Sequence, residues 1–211
     1  MKDIVIVGAG GCAKEIMFLL EENNKIEKEW NILGFIDCDK TRTDLKYPIL
    51  GNDDWLLKQT RELAVVIAVG SPTLKKRLYE MYSESSFLYF PTIVSKHALV
   101  GACAIGKGCI ICNDCTLTVD VNLGDFVTVN IGTTICHESL IGDFTTIAPG
   151  VNVSGNVNIG RMCDIGVGSK IIQNISIGNE AIIGAGTVVI RDVDKECTVV
   201  GNPARMIKRS N

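Results

Sequence analysis

The chain has 211 residues, 46% of them hydrophobic and 21% charged, with a net charge of −3. That is an ordinary globular composition, which excludes intrinsic disorder, and the lack of a basic block argues against nucleic acid as a partner. No apolar run approaches the ~18 residues of a membrane helix, and Met1-Lys2-Asp3-Ile4 does not read as a secretion signal. The expectation is a cytoplasmic protein without membrane insertion, its nine cysteines held as reduced thiols.

The first ninety residues alternate between strand and helix patterns. Ile4-Val5-Ile6-Val7 is a continuous apolar run of buried-strand type that ends in Gly8-Ala9-Gly10-Gly11. Ile16, Leu19 and Leu20 then recur at helical spacing, and Glu21-Glu22-Asn23-Asn24 closes that helix. Ile32-Leu33-Gly34-Phe35-Ile36 is a second strand, followed by Asp37, and Val65–Val69 a third, followed by Gly70. Ser71-Pro72 marks a helix start, with Leu74, Leu78 and Met81 on one face, before a short last strand at Phe87-Leu88-Tyr89. Alternation with short connections predicts a small parallel α/β sheet over 1–90. Its ligand belongs beyond the carboxyl ends of the strands, where Gly8–Cys12, Asp37-Cys38 and Gly70 would gather.

From Leu99 the period changes. Every sixth residue through Val189 is aliphatic, at all sixteen positions, with no change of phase. Four residues after each, small side chains prevail, among them Cys103, Cys109, Cys115, Thr133, Ser139, Thr145, Cys163 and Ser169. Over this lies a period of 18 in Ile105-Gly106, Leu123-Gly124, Ile141-Gly142, Ile159-Gly160 and Ile177-Gly178. Three short strands per coil, with glycine at one corner for a tight turn or a positive φ, make a parallel β-helix over 91–211. Each coil buries its thin core only against its neighbours.

Several motifs carry candidate chemistry. Gly8-x-Gly10-x-x-Ala13, with Asp37 further on, is a loose dinucleotide fingerprint. Only half of a doubly wound sheet is present, so a diphosphate-bearing nucleotide other than NAD is the better match for a glycine turn that opens a helix, the alternative being a tight strand-to-helix turn with no ligand. Cys109-x-x-Cys112-x-x-Cys115 has soft-metal spacing, but Cys109 and Cys115 share the small core-type position of the hexads, which favours packing over a metal. His137, in Ile135-Cys136-His137-Glu138, falls outside both core-type positions. The residues alone leave two readings: a solvated surface histidine, or a general base steadied by Glu138, histidine being the side chain that titrates nearest neutrality.

The hexads, the Ile-Cys-His-Glu segment, Ser154-Gly155-Asn156 one coil later and the tail Val200-Gly201-Asn202-Pro203-Ala204-Arg205 resemble the left-handed β-helix acyltransferases. Joined to the N-terminal Val-Gly-Ala-Gly-Gly unit, the whole chain is similar to one subfamily of these, the bacterial nucleotide-sugar N-acetyltransferases and sialic acid O-acetyltransferases. The resemblance implies an α/β plus all-β chain: a half-Rossmann parallel sheet domain over 1–90 that binds the nucleotide sugar, then a left-handed parallel β-helix over 91–211 that binds acetyl-CoA. It implies acetyl transfer to the 4-amino group of a nucleotide-linked 4-amino-4,6-dideoxysugar, with His137 as base, Glu138 as its modulator and the Gly155 N–H polarising the thioester carbonyl. Thr146, Val167 and Ala185 correspond to the acetyl-CoA cleft, and Gly10, Gly11, Cys12, Asp37, Cys38 and Gly70 to the sugar-nucleotide contacts. It further implies a homotrimer and no metal. Cys12 and Thr146 depart from the subfamily, which usually has histidine at the first position and often at the second. The rival readings are a sialic acid O-acetyltransferase and a non-catalytic β-helix binding protein.

Overall fold

The computed structural model describes residues 1–39, 41–42 and 44–209. The chain divides into two compact units, one over Met1–Gly70 and Leu74–Pro91, the other carrying the chain from Thr92 onward. Among the described residues no helix is long and apolar enough to cross a membrane.

The first unit runs β1 (Lys2–Val7), α1 (Gly11–Ile26), β2 (Trp30–Ile36), β3 (Ile49–Gly51), α2 (Asp53–Leu57), β4 (Leu63–Ile67), α3 (Pro72–Tyr82) and β5 (Leu88–Tyr89). The strands form one parallel sheet in the order β3-β2-β1-β4-β5. Ile4, Val5 and Ile6 are fully buried in its centre, as a two-sided sheet requires. Helix α1 runs past Asn24 instead of closing there. The Asn24 side chain accepts from the N–H groups of Glu29 (3.1 Å) and Trp30 (3.0 Å) and donates to the Trp30 carbonyl at 2.7 Å, turning the chain into β2. Strand β3 and helix α2 lack a periodic signal because each is under two turns or pleats long; Asn52 caps α2 by accepting from Trp55 N–H at 3.3 Å. Helix α3 starts at Pro72 as expected, yet its buried residues include Lys75 and Tyr82 whereas Leu74 is 42% exposed. The Tyr82 hydroxyl donates to Asp53 at 2.5 Å. Burial, then this carboxylate, holds the phenol protonated far above its ordinary range.

The second unit is a parallel β-solenoid of two-residue strands on three faces. Face one holds Ile110-Ile111, Thr128-Val129 and Thr146-Ile147; face two holds Thr116-Leu117, Thr134-Ile135 and Asn152-Val153; face three holds Asn122-Leu123, Leu140-Ile141 and Asn158-Ile159. Register is 18 residues, so Thr134 pairs with Asn152 and Leu140 with Asn158. The hexad aliphatics from Ile111 to Val189 point inward and are at most 5% exposed, each worth roughly 1.5–3 kcal/mol when fully buried.

The first coil corrects the expected phase. Leu117 pairs with Val100 and not with Leu99, and Leu99 is 69% exposed. One residue is missing from the turn after Val100, and a Cβ on Gly101 would lie 1.9 Å from the Thr118 carbonyl oxygen. Glycine is the residue that lets this shortened turn close.

The glycines repeating every 18 residues also need a different reason from one of those expected. Gly124 and Gly142 do not take a positive φ. A Cβ on Gly124 would sit 2.2 Å from Asp143 Oδ1, which accepts the Asp125 N–H at 2.8 Å. A Cβ on Gly142 would sit 2.5 Å from the Arg161 nitrogen. Close stacking of the next coil, not left-handed backbone, excludes a side chain there.

The small hexad residues do more than fill space. Cys109 and Cys115 Sγ donate to the carbonyls of Gly124 and Asn130 at 3.1 Å, and Cys163 Sγ to Gly178 at 3.2 Å. Thr133, Ser139 and Thr145 hydroxyls make the same bond, to Ala148, Ser154 and Gly160 at 3.0, 3.1 and 2.8 Å. A donor at this position satisfies a corner carbonyl that the sheets leave over. Among the described residues Thr187, at the same position near the end of the solenoid, is left with its hydroxyl buried and unpartnered.

Candidate active site

In the first unit the loop after β1 opens α1 without a side-chain cap, so the amide ends of that helix remain free to meet an anion. Gly10 and Gly11 both face open space. Asp37, just past β2, does not point freely at a ligand: Oδ2 accepts Ala9 N–H at 2.8 Å, and Oδ1 accepts Asp39 N–H at 3.0 Å and the Cys38 thiol at 3.6 Å. The carboxylate therefore braces the glycine loop. Cys12 is half-buried, and burial, then the charge of Glu15, pushes its thiol up. Gly8 packs 3.2 Å (for an added Cβ) from the Ala68 carbonyl, at the start of the segment leading to exposed Gly70. The sequence reading missed Arg42, whose guanidinium donates to the Ala9 carbonyl, and the Lys14–Asp44 ion pair at 2.5 Å beside it. No periodic signal marks Arg42, which lies in a loop.

In the second unit His137 and Glu138 occupy the corner between faces two and three. Glu138 has φ +59°, and that left-handed kink turns its carboxylate back onto the neighbouring ring. Glu138 Oε2 lies 3.0 Å from His137 Nδ1, both side chains being more than half exposed. A carboxylate only accepts, so the bond puts the proton on Nδ1 and leaves the Nε2 lone pair free. The ring packs against the next coil: a Cβ on Gly155 would meet His137 Cε1 at 2.4 Å and Nε2 at 2.5 Å. Asn156 N–H donates to the His137 carbonyl at 2.8 Å, locking the two corners in step. Among the described residues the Gly155 N–H donates to no partner.

The residues expected to line an acetyl-CoA cleft lie elsewhere on the prism. Thr146 is buried on face one, whereas Val167, 50% exposed, and Ala185 stack at the corner between faces one and two, joined by the Gly186 N–H to Val167 carbonyl bond at 2.8 Å. One chain thus brings His137, Glu138 and Gly155 together, but holds Val167 and Ala185 on a different corner, with face two between. Of the cysteines with metal spacing, Cys109 and Cys115 spend their thiols on carbonyls. Among the described residues no group of three or more His, Cys, Asp or Glu side chains could hold a metal ion.

Residues 3–82 match the family model described as the PglD N-terminal domain. No curated protein matches the chain. Among solved structures, WeeI from Acinetobacter baumannii is 30% identical, over 98% of this chain and 100% of that one, with a TM-score of 0.87. The acetyltransferase domain of PglB from Neisseria gonorrhoeae, in complex with acetyl coenzyme A, is 28% identical over 98% and 99% of the two chains, with a TM-score of 0.90. Perosamine N-acetyltransferase from Caulobacter crescentus is 25% identical over 99% and 98%, with a TM-score of 0.91, and its histidine-to-asparagine variant was solved with CoA and GDP-perosamine. On whole-length similarity of this order, the chain belongs to the β-helix family of nucleotide-sugar N-acetyltransferases.

Proposed function

We propose that the chain transfers acetyl from acetyl-CoA to the 4-amino group of a nucleotide-linked 4-amino-4,6-dideoxysugar. The observation that carries this is the His137 ring, held between Glu138 Oε2 at Nδ1 and the Cα of Gly155, with Nε2 free. Nε2 takes a proton from the amine as its nitrogen attacks the thioester carbonyl, and Glu138 steadies the imidazolium that results. The unpartnered Gly155 N–H stabilises the oxyanion, a contribution worth roughly 2.7–4 kcal/mol for one donor in other enzymes. Collapse of the tetrahedral intermediate breaks the C–S bond and releases CoA as leaving group, without an acyl-enzyme.

The first unit holds the sugar nucleotide, its diphosphate at the uncapped start of α1 beside Arg42 and Lys14. The second binds acetyl-CoA. The separation of His137 from Val167 and Ala185 on two corners supports a homotrimer, in which one copy's His137 corner meets another's cleft corner. The reducing cytoplasm suits nine free cysteines. A thermal-shift panel of UDP-, dTDP- and GDP-linked amino sugars, free sialic acids and acetyl-CoA tests the reading. Stabilisation by acetyl-CoA and one nucleotide sugar is expected; stabilisation by free sialic acid alone would move the acceptor to a hydroxyl, and by none of them would end the reading. Light scattering tests the trimer, which a fully active monomer would refute.

A further inference from the structure

Lys14 stands one turn into α1, where its positive charge opposes the helix dipole and its stem leans back over the free amide ends. No acid occupies that first turn. The counter-charge comes from the segment between β2 and β3. A single oxygen, Asp44 Oδ2, lies 2.5 Å from Lys14 Nζ and 3.5 Å from Arg42 Nη2, while Arg42 Nη1 donates to the Ala9 carbonyl of the glycine loop. The hydrogen bond from Lys14 holds Asp44 below the usual carboxylate range, so it is charged at neutral pH. Among the described residues no other carboxylate forms an ion pair with Lys14 or Arg42. Asp37 is spent on the Ala9 and Asp39 N–H groups, and Asp39 on the Thr41 N–H and hydroxyl.

The segment that carries Asp44 is pinned at both ends. At its start, the Asp37 carboxylate ties the end of β2 to Ala9. At its close, the Tyr47 hydroxyl at 3.0 Å and Lys46 Nζ at 2.6 Å meet one oxygen of Glu21. Glu21 is seven residues beyond Lys14, two helical turns along the same side of α1. Between these anchors, among the described residues, only Arg42 and Asp44 bond to the rest of the unit. Arg42 would keep its bond to Ala9 if Asp44 let go, so the Asp44 contact can open without loosening the loop.

We infer that Asp44 is an internal anion that occupies the phosphate-binding cations of the empty site and is displaced by the diphosphate of the sugar nucleotide, an inference that rests on the reading of the first unit as the nucleotide-sugar domain. Phosphoryl oxygens within reach of Lys14 and Arg42 stand where Asp44 Oδ2 now lies, and two anions at ~4 Å repel each other. A diphosphate carries more charge and more acceptor oxygens than one carboxylate, and it can use the helix amides as well, so it takes both cations. A ligand with a single carboxylate gains nothing by the same exchange. Asp44 thus lowers affinity for the acceptor substrate and favours a diphosphate over a sugar acid. It binds no reacting atom, and its effect falls on KM and not on kcat.

The test is calorimetric titration of the intact protein with UDP, dTDP and GDP, for wild type, Asp44→Asn, Asp44→Ser, Lys14→Ala and Lys14→Ala/Asp44→Asn. The nucleotide that binds wild type should bind Asp44→Asn and Asp44→Ser about threefold tighter, the scale of an exposed ion pair. The gain should shrink when Lys14 is absent, because the cation being freed is then missing. A gain in affinity is a readout that a damaged fold cannot imitate. Unchanged or weaker binding in both Asp44 variants would overturn the exchange, as would an equal gain with and without Lys14. Failure of all three nucleotides to bind wild type and the Asp44 variants alike would instead overturn the nucleotide reading of the first unit, and the exchange with it.

Discussion

Replacing Gly155 by alanine isolates the placement of the His137 ring, the proposed base, from every other feature of the site. The new methyl would fall 2.4 Å from His137 Cε1 and 2.5 Å from Nε2. Carbon atoms pack at about 3.5 Å, so the imidazole must withdraw by roughly 1 Å. That movement also loosens the 3.0 Å bond from Nδ1 to Glu138, while the Gly155 N–H stays in the chain. A misplacement of about 1 Å costs on the order of 10²-fold in rate. The backbone itself should tolerate the change, because Gly155 is outside the left-handed region and the ring it displaces is exposed. Stability should stay within about 1 kcal/mol. Turnover is best read by chromatography of released CoA, because a thiol reagent would also report exposed Cys38. The expected signature is a large fall in kcat with near-normal acetyl-CoA affinity and melting temperature. A stable variant with kcat within about threefold of wild type would show that ring placement against Gly155 does not matter.

His137→Ala should lower kcat by about 10²–10⁴-fold and leave CoA binding intact by calorimetry, since it removes a base and no ligand contact. Asp37→Ala should raise KM for the nucleotide sugar about tenfold and leave the acetyl-CoA constant alone, because the carboxylate holds the Ala9 N–H and so the glycine loop. Burial pushes the Cys115 and Cys163 thiols up to about 11 from an ordinary 9.0, so the folded state keeps protons that the unfolded state loses above pH 9. Stability should accordingly hold below pH 9 and fall between pH 9 and 11 by on the order of 2 kcal/mol per thiol, a slope that chemical denaturation should find reduced in Cys115→Ala/Cys163→Ala. Gly142→Ala, which drives a Cβ to 2.5 Å from the Arg161 nitrogen, should cost about 3 kcal/mol or more. Gly132→Ala, at φ +67° with open space around it, should cost only about 1–2 kcal/mol, and equal melting temperatures would refute the distinction.

The solenoid was legible because its core is written as a period, and Ile111 through Val189 obey it. Leu99 was misread because an aliphatic residue beside another aliphatic one, Val100, hides a one-residue slip; only the pairing of Leu117 with Val100 exposes it. The recurring glycines were legible as a corner, but the reason for them lies in Asp143 and Arg161 one coil on, partners that composition does not reveal. The thiols read as filler because sulfur counts as apolar in a pattern, while the carbonyls they satisfy appear only once coils are stacked. In the first unit, Lys75 took a buried place on α3 that helical spacing assigned to leucines.

The two halves of the candidate site differed in legibility for the same reason. In a solenoid, a residue 18 positions on is the residue overhead, so sequence distance converts directly into contact. His137 and Gly155 could thus be paired before any coordinates, and the 2.4 Å approach of a Cβ at Gly155 to the ring confirms the pairing. The glycine loop has no such rule. Its bracing bonds join Ala9 to Asp37 and to Arg42, across 28 and 33 residues, and depend on where β1 and β2 end relative to each other. Motif spacing could place Asp37 near the loop but not assign its carboxylate to a backbone amide. It could not place Arg42 at all. Residues that act through a repeat are found by arithmetic, whereas residues that act through strand ends require the sheet to be built first.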